Sequence, residues 1–167
     1  MFQSIEEFLN LWEHESNSTQ KVLEALTDAS LKQEVSPEGR NLGRIAWHLV
    51  TSLEEFVSQT GLQFEGAKSD QDVPTSATEI ANHYRKSNEA MVAAIKEQWT
   101  DASLKEVHNM FGQQWPNGFT LLNLILHQTH HRGQMTVLMR QAGLKVPGVY
   151  GPAREEWSAV GMEPPKL

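Results

Sequence analysis

The chain contains no cysteine, so disulfides, thiolate nucleophiles and cysteine-ligated metal sites are excluded together, and any bound metal must be held by nitrogen or oxygen. A basic excess is missing too: 14 Lys and Arg stand against 21 Asp and Glu, a formal net charge of -7. The basic residues are scattered, so there is no cationic footprint for a phosphate backbone and nucleic-acid binding is disfavoured. No apolar run approaches the ~20 residues that span a bilayer. The opening MFQSIEEFLN carries acidic residues where a secretion signal needs basic ones. A cytoplasmic protein without a membrane segment is expected. Low-complexity tracts and internal repeats are not visible, and neither GxxxxGK, GxGxxG nor a serine-centred nucleophile elbow occurs. Nucleotide binding and serine hydrolysis therefore have no support.

What is present is a globular composition, 39% hydrophobic and 21% charged over 167 residues, which suits one domain over 1–167. Ser4 to Glu7 fits a capping box, and Ile5, Phe8, Leu9 and Trp12, then Val22, Leu23 and Leu26, follow at helical spacing. Asn41 caps a second apolar segment, LGRIAWHLVTSLEEFVSQT, which stops at Gly61. Ser76 to Glu79 repeats the capping box ahead of Ile80, Tyr84, Met91 and Ile95, a third helix ending near Trp99. The stretch 100–118 reads as irregular or weakly extended, with Pro116-Asn117-Gly118 as a turn before a long helix from Thr120 to Ala142 that Gly143 stops. A short helical segment is expected at Arg154 to Trp157. The fold class is all-α, a four-helix bundle with long inter-helix connections.

The chemistry concentrates in LILHQTHHRGQ, residues 124–134, where three histidines interrupt a helix that is apolar almost all round. At 100° per residue, His127 and His131 lie about 40° apart, one turn from each other, so both imidazoles can reach a single ion. Asn123 and Gln134 fall on the same face. Left unpaired inside a bundle, such groups would cost ~1 to 3 kcal/mol each, so something must satisfy them. The best-placed third ligand is His48, in the middle of the apolar second helix. Three neutral imidazoles around a divalent cation leave a position for water or substrate, as catalytic sites require. His130 points to the other side of His127 and is read as an outer partner of the site. His14, His83 and His108 show no pairing at ligand spacing.

In the HExxH pattern of zinc proteases the residue after the first histidine is the catalytic glutamate; here it is Gln128, which cannot act as a base. Glu55, seven residues after His48, returns to the same face and is the nearest carboxylate for proton transfer. Gly133 in mid-helix costs ~1 kcal/mol relative to alanine, which implies close approach of another helix or a partner subunit, with Arg132 beside it pairing a carboxylate there.

These pieces, WHL around His48, HQTHHRGQ from His127 to Gln134, the following LMRQAG and the tail VYGPAREEW, resemble the DinB family over the whole chain. That family is grouped with bacterial thiol-dependent transferases and mycothiol-dependent maleylpyruvate isomerases. The resemblance implies a DinB-type four-helix bundle, one divalent transition metal per chain, zinc or nickel foremost, held by His48, His127 and His131, and a homodimer formed through the bundle. It implies a metal-dependent transferase joining a small-molecule substrate, an electrophile, to a low-molecular-weight thiol. The alternatives are a metal-dependent hydrolase using activated water, with Glu55 handling protons, and a non-catalytic, stress-related metal-binding protein.

Overall fold

The computed structural model describes residues 2–166. Its four long helices are α1 (Ile5–Glu24), α2 (Leu42–Val57), α3 (Ala77–Gln98) and α4 (Asn117–Gln141). The first three begin where a side chain takes up an orphan backbone N–H. Ser4 Oγ accepts from Glu7 N, Asn41 Oδ1 from Arg44 N and Ser76 Oγ from Glu79 N.

Helix α4 starts three residues earlier than the sequence suggests. Asn117 is its first residue rather than part of a turn, because the backbone N–H of Asn117 is taken by Glu106 O and its Nδ2 donates to Ser103 O, at 2.9 and 3.0 Å. The region read as irregular holds an antiparallel hairpin of β1 (Val107–Met110) and β2 (Gln113–Pro116), with Met110 opposite Gln113. Its two-residue turn is Phe111-Gly112, both at positive φ (51° and 84°), which suits a tight hairpin. Phenylalanine in that region is uncommon. The Phe111 ring packs on Phe56 and Trp115, at 5.5 and 6.1 Å between centroids. In the tail, Arg154 to Glu156 form turns and the helical piece is a 3-10 turn at Trp157–Val160, slightly beyond the expected position.

An internal repeat does exist, contrary to the reading of the sequence by itself. The hexapeptide TDASLK occurs at 27–32 and again at 100–105, too short to stand out but identical in use. Each copy follows a long helix and forms a 3-10 turn (Asp28–Lys32 and Asp101–Lys105) in which the threonine N–H donates to the serine hydroxyl. The two copies then cap each other's halves: Asp28 Oδ1 accepts from Ala77 N at the start of α3, and Asp101 Oδ1 accepts from Ile5 N at the start of α1. Gln33 O and Glu106 O, one residue past each turn, accept from the first residues of α2 and α4.

Main packing runs α1 against α3, α3 against α2, α2 against α4 and α4 against α1, so consecutive helices α1 and α2 face each other across the diagonal. The connections from α1 to α2 and from α3 to α4 each cross a diagonal, which calls for length, whereas the one from α2 to α3 joins neighbours. Gly43 shows how closely α2 meets the first repeat: a Cβ there would lie 3.1 Å from Leu31 Cβ. The core holds Phe8, Trp12, Leu49, Leu53, Ile80, Leu121 and Leu124, all nearly or fully buried. No helix among the described residues is long and apolar enough to cross a membrane.

Candidate metal centre

Because α2 and α4 pack side by side, His48 meets the His127–His131 pair. The three ring centroids lie 4.5 to 4.9 Å apart, and His48 Nε2 is 3.1 Å from His127 Nε2. One ligand atom from each residue lies within 4.8 Å of the others. Imidazole nitrogens on a tetrahedral zinc ion, ~2.1 Å from the metal, would sit about 3.4 Å apart, so small side-chain movements suffice.

Electrostatics favour ligation. Burial lowers the pKa of His48 to about 4, with Arg40, His131 and Arg44 adding repulsion, and lowers that of His127 to about 3, with His131, His48 and His130 adding to it. Burial also lowers His131, against the opposing hydrogen bond that its ring donates to Gln134. All three rings are therefore neutral at pH 7, the form that offers a lone pair to a metal. His131 Nδ1 lies 2.7 Å from Gln134 Oε1; the amide oxygen accepts, so the proton sits on Nδ1 and the Nε2 lone pair is free. His127 Nδ1 is buried without a partner, so the rings do not form a self-satisfied hydrogen-bonded cluster. The donor set thus fits a divalent transition metal.

Other expected residues divide. Gln134 touches the triad, His130 lies against His131 at 4.8 Å and is exposed, and Glu55 shares a cleft with His48. Asn123 instead donates to Phe119 O in its own helix. His14, His83 and His108 stand outside the histidine group.

Deeper in α4 than His127 and His131, which are half-buried, lie Gln128 and Arg132, at 0% and 1% exposure. Gln128 Nε2 donates to Leu49 O and Ser52 Oγ, and its Oε1 accepts from Thr19 and Tyr84, so one amide ties all four helices. It is fully occupied and turned away from the ion. Arg132 pairs with Glu15 of α1 at 2.6 Å and also donates to Glu15 O and Thr19. The tail closes this pair, because Tyr150 Oη donates to Glu15 Oε2 and accepts from Arg132. The carboxylate expected for Arg132 therefore lies within the chain. Close approach at Gly133 is not found there: a Cβ at this position meets nothing within 4 Å among the described residues.

Sequence reasoning missed the surroundings of His48. Arg44, His48, Thr51 and Glu55 follow i, i+4, i+7, i+11 along α2, and all four line one cleft with Arg40 and Trp47. That spacing is visible in the sequence, but without the α4 partner nothing marks which face of α2 matters. A larger cleft, about 680 Å³ between α1 and α3, contains none of the triad.

A diagonal four-helix bundle with a three-histidine group between its second and fourth helices is the class of protein that these features define. The sequence model of the DinB family matches residues 1–166, and the chain belongs to that family. It is 55% identical over 167 residues to the uncharacterized protein YrdA of Bacillus subtilis (strain 168), covering all of both chains. A solved DinB-like protein of Bacillus cereus ATCC 10987 is 56% identical, with a TM-score of 0.87 over 90% of this chain and 100% of that one. A second, YjoA of Bacillus subtilis, is 17% identical with a TM-score of 0.68 over 86% of this chain and 97% of that one, a likeness of fold.

Proposed function

We propose that the protein is a cytoplasmic metal-dependent transferase that joins a low-molecular-weight thiol to a small electrophile. The observation that carries this is the convergence of three neutral imidazoles, which leaves further coordination positions to substrate. A zinc or nickel ion held by His48, His127 and His131 would supply an open position and the charge that lowers the pKa of a thiol. The chain's own residues do the rest. Gln134 fixes the tautomer of His131, Phe56 packs on His127 and limits water, and Glu55 is the carboxylate in reach of a departing proton. In the net reaction the thiol loses its proton, sulfur bonds to the electrophilic carbon, and the leaving group departs with its electron pair.

Two distinct clefts border the triad, one at His48 and one at His131, as a reaction of two substrates needs. The hydrolase reading uses the same triad, with activated water and Glu55, and has no need of the second cleft. A homodimer is supported by the outward stripe Leu126, Gly133 and Val137 on α4, whose two apolar side chains are more than half exposed.

The test is elemental analysis of wild-type, His48→Ala and His127→Ala protein purified without chelators, followed by a thiol and electrophile screen read by product mass. About one ion per chain in the wild type, lost in both variants, is expected. A metal-free wild type that stays so after reconstitution would overturn the reading, and turnover of esters without thiol would move it to hydrolysis.

A further inference from the structure

The two clefts at the triad differ in character, and the thiol chemistry by itself does not account for the charges in one of them. The cleft at His131, about 430 Å³, has Val35, Ile45, Val137 and Leu138 in its walls and is mainly apolar, with Arg40 on the border that it shares with the other cleft. The cleft at His48, about 260 Å³, has Arg40, Arg44, Trp47, Thr51 and Glu55 around the imidazole. In a protein with a net charge of -7, two arginines meet here.

Neither is engaged. The ion pairs of the described residues use His83, Arg85, Arg132 and Arg140, and no side-chain hydrogen bond involves the guanidinium of Arg40 or Arg44. Arg44 is the third residue of α2, at the positive end of the helix macrodipole. Helices α1 and α3 place Glu6, Glu7 and Glu79 in their first turns, as that dipole favours, while α2 has no acid there. A cation at this point opposes the dipole and gains no partner in return. A third donor borders the same cleft: Trp47 is 3% exposed, and its indole N–H is buried without an acceptor. Buried donors are ordinarily satisfied. Two exposed guanidinium groups and one buried, unpaired indole N–H therefore border the cleft at a triad imidazole.

We infer that this cleft receives an oxyanion group, carboxylate or phosphate, of the substrate that reacts at the triad, with Arg40 and Arg44 setting the specificity. The thiol is the substrate that carries it, so this assignment rests on the proposed transferase reading. On α2 the anion lies one turn from His48, about 6 Å toward the helix start, whereas Glu55 lies about 10 Å the other way. The two ends of the cleft thus present opposite charges on either side of His48. Arginine forks suit both oxyanions, and a helix start adds to their attraction.

Two measurements test this. In metal-free protein, the Trp47 indole N–H resonance, assigned with Trp47→Phe, is followed by ¹⁵N-resolved NMR during titration with acetate or inorganic phosphate at constant ionic strength. Saturable movement in the wild type, lost in the Arg40→Gln/Arg44→Gln double variant, is expected. In cobalt-loaded protein, the thiolate charge-transfer band gives dissociation constants for 3-mercaptopropionate, 2-mercaptoethyl phosphate and neutral 3-mercapto-1-propanol. At least one acidic thiol should bind about tenfold tighter than the neutral one in the wild type and within about twofold of it in the double variant, with the neutral thiol unaffected. The acid showing the larger preference identifies the oxyanion. An unmoved indole resonance, or an anion preference that survives the double substitution, overturns the assignment. An indole shift without any thiolate band refutes the thiol reading and leaves the anion cleft standing.

Discussion

Gln128→Leu should destabilise the bundle by about 2–4 kcal/mol. The amide makes four side-chain hydrogen bonds, at 2.9 Å to Leu49 O, 3.0 Å to Ser52, 3.4 Å from Thr19 and 3.3 Å from Tyr84. Two of these partners keep other bonds: the Ser52 hydroxyl still donates to Leu49 O, and Thr19 still donates to Glu15 O and accepts from Arg132. The Tyr84 hydroxyl is worse placed, because it is buried and loses the oxygen it donates to. A stranded buried donor costs about 1–3 kcal/mol, and the remaining lost bonds add about 1 kcal/mol net after the gain from burying leucine. At roughly 2–4 °C per kcal/mol for a domain of this size, Tm should fall by about 5–15 °C. Thermal unfolding followed by far-ultraviolet circular dichroism measures this. The diagnostic comparison is Tyr84→Phe, which should cost stability in the wild type but almost none in Gln128→Leu, where it removes the stranded hydroxyl. A Tm within about 2 °C of wild type for Gln128→Leu, or losses that simply add in the double variant, would refute the four-helix role of this amide.

Gln128→Glu creates an HExxH sequence, yet no peptidase activity should appear, because the side chain points into the four-helix core; casein or furylacryloyl-peptide cleavage would contradict that placement. In metal-free protein the imidazoles of His48 and His127, with pKa values of about 4 and about 3, stay neutral while the unfolded chain takes up protons below about 6.5. Their contribution to stability is thus complete above that pH and is lost progressively as pH falls toward 4. Tm measured in EDTA from pH 7.5 to 5 should decline, less steeply in His127→Ala, and parallel slopes would speak against buried neutral rings. Tyr150→Phe keeps the Glu15–Arg132 pair but removes the hydroxyl that binds both, so Tm should drop by about 2–4 °C and limited proteolysis should cut residues 147–156 faster; unchanged proteolysis would deny the tail that contact.

What the sequence disclosed and what it concealed follow from the range of the interactions. The helices were readable because Ser4, Asn41 and Ser76 announce their starts and the apolar spacing runs on for several turns. The histidine pair was readable because i, i+4 is a local relation, and His48 stood out on an apolar helix. The partners of Arg132 were not, since Glu15 lies 117 residues away and Tyr150 arrives from the tail. The hairpin escaped because its strands have four residues each and its turn uses Phe111 at positive φ, a position that sequence patterns assign to glycine or asparagine. The charges at His48 escaped for another reason: on a lone helix Arg44 and Glu55 look like any solvated face, and only the packing of α4 onto α2 makes that face the wall of a site.

The repeated TDASLK turn also explains why there is one site and not two. The first residues of α2 and α4, Leu42 and Asn117, occupy equivalent positions, each bonded to the carbonyl one residue past its repeat. Counting onward from these, His48 matches Asn123, while His127 and His131 match Ser52 and Phe56. A second triad related by the repeat would need histidines at 123, 52 and 56, and none is present. Asn123, at the position that carries a ligand in the other half, spends its amide on Phe119 O. The same count pairs the buried Gln128 and Arg132 with Leu53 and Val57. The scaffold of helices and caps is therefore twofold, whereas α4 concentrates the polar residues, two imidazoles toward the cleft and an amide and guanidinium toward the core. Gln128 and Arg132 tie α4 to the other helices beside both histidines, so the half that carries two of the three imidazoles is also anchored by buried hydrogen bonds that the matching Leu53 and Val57 side chains cannot make.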